Sequence, residues 1–324
     1  MSHRNDMSPW SGRVDAADGE AGRRWHQVVR PAAAADGPGI ALAGFACDAG
    51  VRRNHGRPGA AAGPTELRRM LGNLAWHGGS TGHLYDAGDV SCDGDALERA
   101  QGEYASLVAG LLRAGHLPVG LGGGHEIAWA AYQGAALALA GDARLDRLGI
   151  INFDAHLDMR RTMDPDRGTS GTPFLQIAES RAASGLEFRY LCIGASTASN
   201  TVALFDRAAA LGAGVILDVD AGESAAEGRI RSFVEDCSAV YLTFCLDVLP
   251  CATAPGVSAP SAFGVPLQRA IALLRMVLTA CAHDGSSSKL LMADIAELNP
   301  TFDEAGRTAR TAARIVYEIS AFSP

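Results

Sequence analysis

From residue 39 onward, short apolar runs alternate with longer stretches whose apolar positions recur every three or four residues. The runs are IALAGFA (40–46), HLPVGLGG (116–123), RLGIINFD (147–154), FRYLCIGA (188–195), GVILD (214–218), AVYLTFCLD (239–247) and KLLMADIAE (289–297). Between them 63–74, 95–115 and 201–213, and after them 303–320, carry the helical period. This alternation predicts an α/β protein with a mainly parallel sheet covered by helices on both faces. Residues 1–37 show no sustained period and are rich in Ser, Asp, Gly, Arg and Ala, so they are expected as a mobile lead-in. No repeat or linker divides 38–324, which reads as a single domain.

Composition narrows the partners more than the fold. The 324 residues are 48% hydrophobic and 20% charged, enough for a sizeable core, and the formal charge is -8. Without a basic stripe to neutralise phosphates, nucleic acid is not an expected partner. Carboxylates that ligate metals would count toward that negative sum, so it says little about substrate charge. Seven cysteines without a close CxxC pair argue against a disulfide framework and for a reducing compartment, the cytoplasm. The run 40–46 is too short for a membrane span, and no targeting segment is read. Oligomeric state is left open, with a homo-oligomer compatible.

In open α/β sheets, ligands bind beyond the carboxyl ends of the strands. Four runs end in ionisable groups: GGGHE (122–126) with His125 and Glu126, NFDAHLDMR (152–160) with Asp154, His156 and Asp158, CLDVLP (245–250) with Cys245 and Asp247, and AELNP (296–300) with Glu297. Alone, each motif is ordinary: a glycine turn before a helix, or a capping loop. Together they crowd acids and imidazoles at one end of a sheet, where buried charge needs compensation and few Lys or Arg are near. Divalent cations supply it. The spacing of Asp154, His156 and Asp158 suits an extended stretch with all three on one side, and Cys245 and Asp247 would share one face of a strand end. Carboxylate with imidazole suits Mn2+, Zn2+, Ni2+ or Fe2+, and six candidate ligands suit two ions about 3.5–4 Å apart. Glu126 is explained by its place at a helix start.

These motifs, with GFACDAGVRRNHGRPGAAAGPTELRRML (44–71), resemble the ureohydrolase family of arginases and agmatinases over about residues 39–320, and its formimidoylglutamase branch above all. The resemblance implies a three-layer α/β/α sandwich and a centre of two Mn2+ whose bridging hydroxide attacks an amidine carbon. It implies hydrolysis of N-formimidoyl-L-glutamate to L-glutamate and formamide, a step of histidine degradation. The alternatives are agmatinase or another guanidino hydrolase, or a non-catalytic relative. Position by position, His125, Asp154 and Asp158 match ligands of one ion, and Asp154, His156 and Asp247 those of the other. Cys245 matches the remaining, bridging ligand. Asp158 would carry a proton to the leaving amine, Glu297 would pair with the amidine cation, and Ser170 would touch the amino-acid end of the substrate. Phe174 stands where arginases place a His, and Thr197 where close formimidoylglutamases place an Arg. Arg52, Arg53 and Arg57 are either partners of substrate carboxylates or surface arginines, and His55 is read as solvated.

Cys245 departs from the family, which has Asp at that position. A thiolate has one donor atom and prefers softer ions such as Zn2+. Three outcomes compete: a thiolate ligand that shifts metal preference to another divalent ion, a neutral thiol beside a weakened centre, or a relative that lost its metal.

Overall fold

Every apolar run forms a strand, and every named strand pairs in parallel. The nine strands are β1 (Arg30–Pro31), β2 (Ile40–Ala46), β3 (Leu84–Ser91), β4 (Leu117–Gly122), β5 (Leu148–Phe153), β6 (Arg189–Ala195), β7 (Gly214–Leu217), β8 (Ala239–Cys245) and β9 (Leu290–Ala296). They lie in the order β1-β3-β2-β4-β9-β8-β5-β6-β7. The computed structural model describes residues 6–78, 82–162, 164, 167–282 and 288–322. Every residue of β5 and β8 is buried, as strands covered on both faces must be.

Helices Leu97–Arg113, Ile127–Ala138 and Pro173–Ala183 cover one face, with Tyr104, Val108, Ile127 and Ile177 in its core. Helices Gly63–Gly72, Ser224–Glu235, Leu267–Cys281 and Arg307–Phe322 cover the other, around Leu67, Ile230, Leu274 and Ile315. The expected three layers are present. Close packing of the first two helices depends on Gly134, where a Cβ would come within 2.7 Å of Val108 Cβ. Among the described residues, no helix is long and apolar enough to cross a membrane.

Two parts of the fold differ from the sequence expectation. Strand β3, LYDAGDVS, lies outside the apolar runs because Asp86 and Asp89 interrupt it. Its acids are neutralised by Arg68, 2% exposed, which bonds Asp86 at 2.7 Å and Asp89 at 2.6 Å. The lead-in also packs. Trp25 is 1% exposed and meets Trp76 edge-on, the Trp10 indole N–H donates to Asp86, and β1 pairs with β3. Two large aromatic surfaces outweigh the polar composition around them. Residues 1–5 lie outside the described residues.

The strand order has one consequence for function. The four strands whose ends carry the ionisable groups, β4, β9, β8 and β5, are consecutive neighbours at the centre of the sheet.

Candidate metal centre

At that edge the loops after β4, β5, β8 and β9 bring His125, His156, Asp158, Cys245, Asp247 and Glu297 onto one cavity of about 270 Å³, and Asp154 lies buried against them. Donor atoms of His125, Asp154 and Cys245 lie within 4.8 Å of one another, and so do those of Asp154, His156 and Asp247. Asp154 belongs to both groups. His125 Nδ1 is 2.9 Å from Asp154 Oδ2 and 3.0 Å from Asp158 Oδ2, and His156 Nδ1 is 3.1 Å from Asp247 Oδ2.

The side chains converge by a different local route than spacing suggested. Strand β5 stops at Phe153, so residues 154–158 form a loop in which Asp158 takes φ 46°. Strand β8 stops at Cys245, and Asp247 sits in a 3-10 turn, Leu246–Val248. Neither set is therefore aligned by strand alternation. Glu297 (φ 73°) and His55 (φ 59°) also line the cavity with left-handed backbone, costly for side chains with a Cβ and typical of functional sites.

A hydrogen-bonded chain behind His125 assigns its ring. The Tyr241 hydroxyl donates to Asp294, and Thr243 Oγ1 donates to Asp294 Oδ1 at 2.6 Å. Thr243 has thus used its proton, so its oxygen accepts from His125 Nε2–H at 3.1 Å. Nδ1 then presents a lone pair toward Asp154 and Asp158, and it has no partner of hydrogen-bond geometry. Asp154 is itself oriented by Asn152 Nδ2 at 3.0 Å and by the His156 N–H at 2.7 Å.

Without a cation, protons fill its place. Burial alone would lower both imidazoles, but Asp154 and Asp158 hold His125 well above its ordinary value, and Asp247 and Asp154 push His156 up to about 12. Burial and the charge of Asp154 raise Asp158 to about 6 and raise Asp247 as well. Burial, then the carboxylates of Asp154, Asp247 and Glu297, keeps the Cys245 thiol protonated. Asp247 Oδ1 and Glu297 Oε2 are buried without a partner. Three carboxylates, two imidazoles and a thiol drawn together, with one oxygen of Asp247 unpaired among them, fit a pair of divalent cations.

Glu297 follows β9. Its Oε1 accepts the His125 backbone N–H at 3.0 Å, while burial and the charges of Glu126 and Asp247 raise its carboxyl to about 8. Ser170 lines the same cavity and accepts from Asn54 Nδ2 at 3.3 Å. Arg52, Arg53 and Arg57 are committed elsewhere. Arg52 pairs with Asp48, Arg53 bonds Asp95 at 2.7 Å and Glu98 at 2.5 Å, and Arg57 bonds the Ser258 carbonyl while covering Phe302. Phe174 is buried against the His125 ring edge, and Thr197 is exposed outside the cavity lining, where Ser199 and Asn200 stand.

Glu126 needs a correction. Its side chain makes no cap bond to the helix; Oε1 accepts Gly50 N–H at 2.7 Å and lies beside the Cys47 thiol, so it ties the 47–50 turn to the site. Sequence reasoning also missed Tyr241, Thr243 and Asp294. Asp294 had a legible signal, a lone acid inside an apolar strand; Thr243 had only its place two residues before Cys245.

Residues 38–321 match the Arginase family. The formimidoylglutamase of Ralstonia nicotianae is 50% identical over 97% of this chain and 95% of its own length. That of Aromatoleum aromaticum is 48% identical, over 99% and 94%. A crystal structure of formiminoglutamase from Trypanosoma cruzi with Mn2+2 aligns with a TM-score of 0.76 at 26% identity, covering 88% of this chain and 94% of that one. With a family match over nearly its whole length, the chain belongs to the arginase family.

Proposed function

We propose that this protein hydrolyses N-formimidoyl-L-glutamate to L-glutamate and formamide. It does so with two divalent cations, Mn2+ in the first place, held by His125, Asp154, His156, Asp158, Cys245 and Asp247. Residues 38–324 act as one catalytic domain, working in the cytoplasm. The observation that carries the reading is the placing of His125 Nδ1 between the carboxylates of Asp154 and Asp158, with Nε2 engaged by Thr243, so that a cation there would replace a proton. Relatives 48% and 50% identical over nearly the whole chain carry the name formimidoylglutamase, which supports the substrate.

Cations bound there would neutralise the carboxylates and lower the pKa of water toward neutrality. The protein's own groups do the rest. Glu297 Oε2, buried and unpaired, receives the N–H groups of a planar amidinium and fixes the carbon to be attacked. Asp158 borders the cavity on its strained loop and takes the proton of the attacking water. It then hands that proton to the glutamate nitrogen as the carbon–nitrogen bond breaks. Formamide keeps the carbon and the terminal nitrogen; glutamate leaves as the amine. Ser170 and Asn54 face the amino-acid end.

The test is product analysis with manganese-loaded protein and N-formimidoyl-L-glutamate. Equal amounts of formamide and L-glutamate are expected. No release above that of Glu297→Ala, or urea release from agmatine in its place, would overturn the assignment.

A further inference from the structure

Two of the cysteines meet where neighbouring strands end. The β2–β3 ladder closes with Ala46 opposite Ser91, and the Cys92 N–H carries it one step further by donating to the Ala46 carbonyl at 3.3 Å. Cys47 and Cys92 come next on the two strands, and their thiols touch. Neighbouring strands lie about 4.7–4.9 Å apart, within the Cα separation of about 4.4–6.8 Å that a disulfide spans. Both thiols are free. Cys47 is 1% exposed, whereas Cys92 is half-buried and lies near the charges of Arg52 and Arg53. Burial raises both thiols and leaves Cys92 as the one that meets an external reagent.

Neither cysteine lines the metal cavity, but Cys47 supports it from behind. Its carbonyl accepts the Gly124 N–H at 2.9 Å, and the Phe45 carbonyl accepts that of Gly123 at 2.9 Å, so the segment that delivers His125 hangs on 45–47. The approach is close enough that a Cβ on Gly123 would collide with the Cys47 carbonyl. The Cys47 sulfur accepts the Ala49 N–H at 3.5 Å, and its thiol donates to Glu126 Oε1 at 3.7 Å. A change in the direction of this one side chain therefore reaches both the 47–50 turn and the loop before His125.

We propose that Cys47 and Cys92 are a thiol–disulfide exchange site, whose reversible oxidation to a disulfide loosens the metal centre. The pairing stands by itself; its effect on metal rests on the reading of the centre above. In a reducing compartment the pair stays open except under oxidation. The co-reactant is a low-molecular-weight disulfide, glutathione disulfide being the type. Cys92 sulfur attacks one of its sulfurs, a mixed disulfide forms at Cys92, and the first glutathione leaves with the Cys92 proton. Cys47 sulfur then attacks that of Cys92, and the second glutathione leaves with the Cys47 proton. Two protein thiols are oxidised and one small disulfide is reduced to two thiols. The new bond turns the Cys47 sulfur from Ala49 and Glu126 toward Cys92, pulling on the backbone that holds Gly123 and Gly124.

The experiment treats the full chain with glutathione disulfide, blocks the remaining thiols and maps the peptides by mass spectrometry. The unaltered protein should yield a 47–92 linked pair, lighter by two hydrogens and reopened by dithiothreitol. Cys92→Ser should form no linkage, and Cys47→Ala should instead retain glutathione on Cys92. In competition titration the oxidised protein should bind Mn2+ roughly 10-fold more weakly than the reduced protein, as for loss of a group that orients a ligand, while treated Cys92→Ser keeps its affinity. Both thiols free after treatment, or linkage of Cys237 with its neighbour Cys281 in place of 47–92, would overturn the pairing. Equal manganese affinity of the oxidised and reduced forms would overturn the coupling. Failure of the metal reading is distinct: reduced protein that binds no manganese would refute that reading and the coupling with it, and the peptide map would still decide the pairing.

Discussion

Cys245→Asp puts the departure from the family pattern to a direct test. Cys245 is 1% exposed and its sulfur lies with His125 and Asp154 donor atoms inside a 4.8 Å group, so a carboxylate there adds a negative charge at ligand distance. A unit charge and a divalent ion about 4 Å apart attract by roughly 8 kcal/mol at an effective dielectric near 20. Taking the carboxylate out of water offsets several kcal/mol of this. The remainder, on the order of 1–3 kcal/mol, corresponds to about 5- to 150-fold tighter manganese binding. In chelator the sign reverses, because the new charge joins those of Asp154, Asp158 and Asp247. The assay is the melting temperature as a function of Mn2+ concentration, with competition titration for the dissociation constant. The variant should melt below the unaltered protein in chelator, and manganese should raise its melting temperature more. Cys245→Ser separates the roles of sulfur: a thiolate ligand predicts weaker Zn2+ binding in that variant. Equal manganese affinity in Cys245→Asp, Cys245→Ser and the unaltered protein would remove position 245 from the centre.

Glu297→Gln keeps an acceptor for the His125 N–H but loses the charge facing the amidinium; kcat/KM should fall on the order of 100-fold with metal content unchanged, and loss of metal instead would contradict the assigned role. Thr243→Val removes the acceptor that fixes the His125 ring and a donor to buried Asp294. Manganese affinity should drop about 10- to 100-fold, and stability by about 1–3 kcal/mol, read from competition titration and denaturant unfolding. Burial raises Glu126 to about 7, so the folded protein holds a proton there that the unfolded chain loses near pH 4.5. This stabilisation is complete below pH 4.5 and is lost as pH rises through about 7. Glu126→Gln does not titrate, so its melting temperature in chelator should gain on the unaltered protein between about pH 5 and 8, by an amount equivalent to on the order of 3 kcal/mol; a pH-independent difference would refute the assignment.

The central strands were legible because a strand covered on both faces must be apolar along its length, as 148–153 and 239–245 are. The site was legible for a related reason, since charge at the end of such a run has no local partner to explain it. What stayed hidden depends on contacts distant in the chain. Strand β3 reads as polar until Arg68 is seen against Asp86 and Asp89. Trp10 and Trp25 sit in a segment of loop-like composition, and only the sheet edge shows what buries them. Glu126 looked like a helix-start residue because nothing nearby in sequence points to Gly50 as its partner. Arg53 looked available to a substrate because its acidic partners, Asp95 and Glu98, lie far along the chain. Loop geometry was hidden as well: the left-handed turn at Asp158, not strand alternation, points that carboxylate at His125.

Metal content is the most direct measurement of the central claim that His125, Asp154, His156, Asp158, Cys245 and Asp247 together hold divalent cations. Protein produced in manganese-supplemented medium and freed of loosely bound ions should carry about two Mn2+ per chain. Asp154→Ala should carry less than half of that, because Asp154 belongs to both donor groups. A folded protein that retains no divalent ion under these conditions, or one whose metal content is unchanged by Asp154→Ala, would contradict the account.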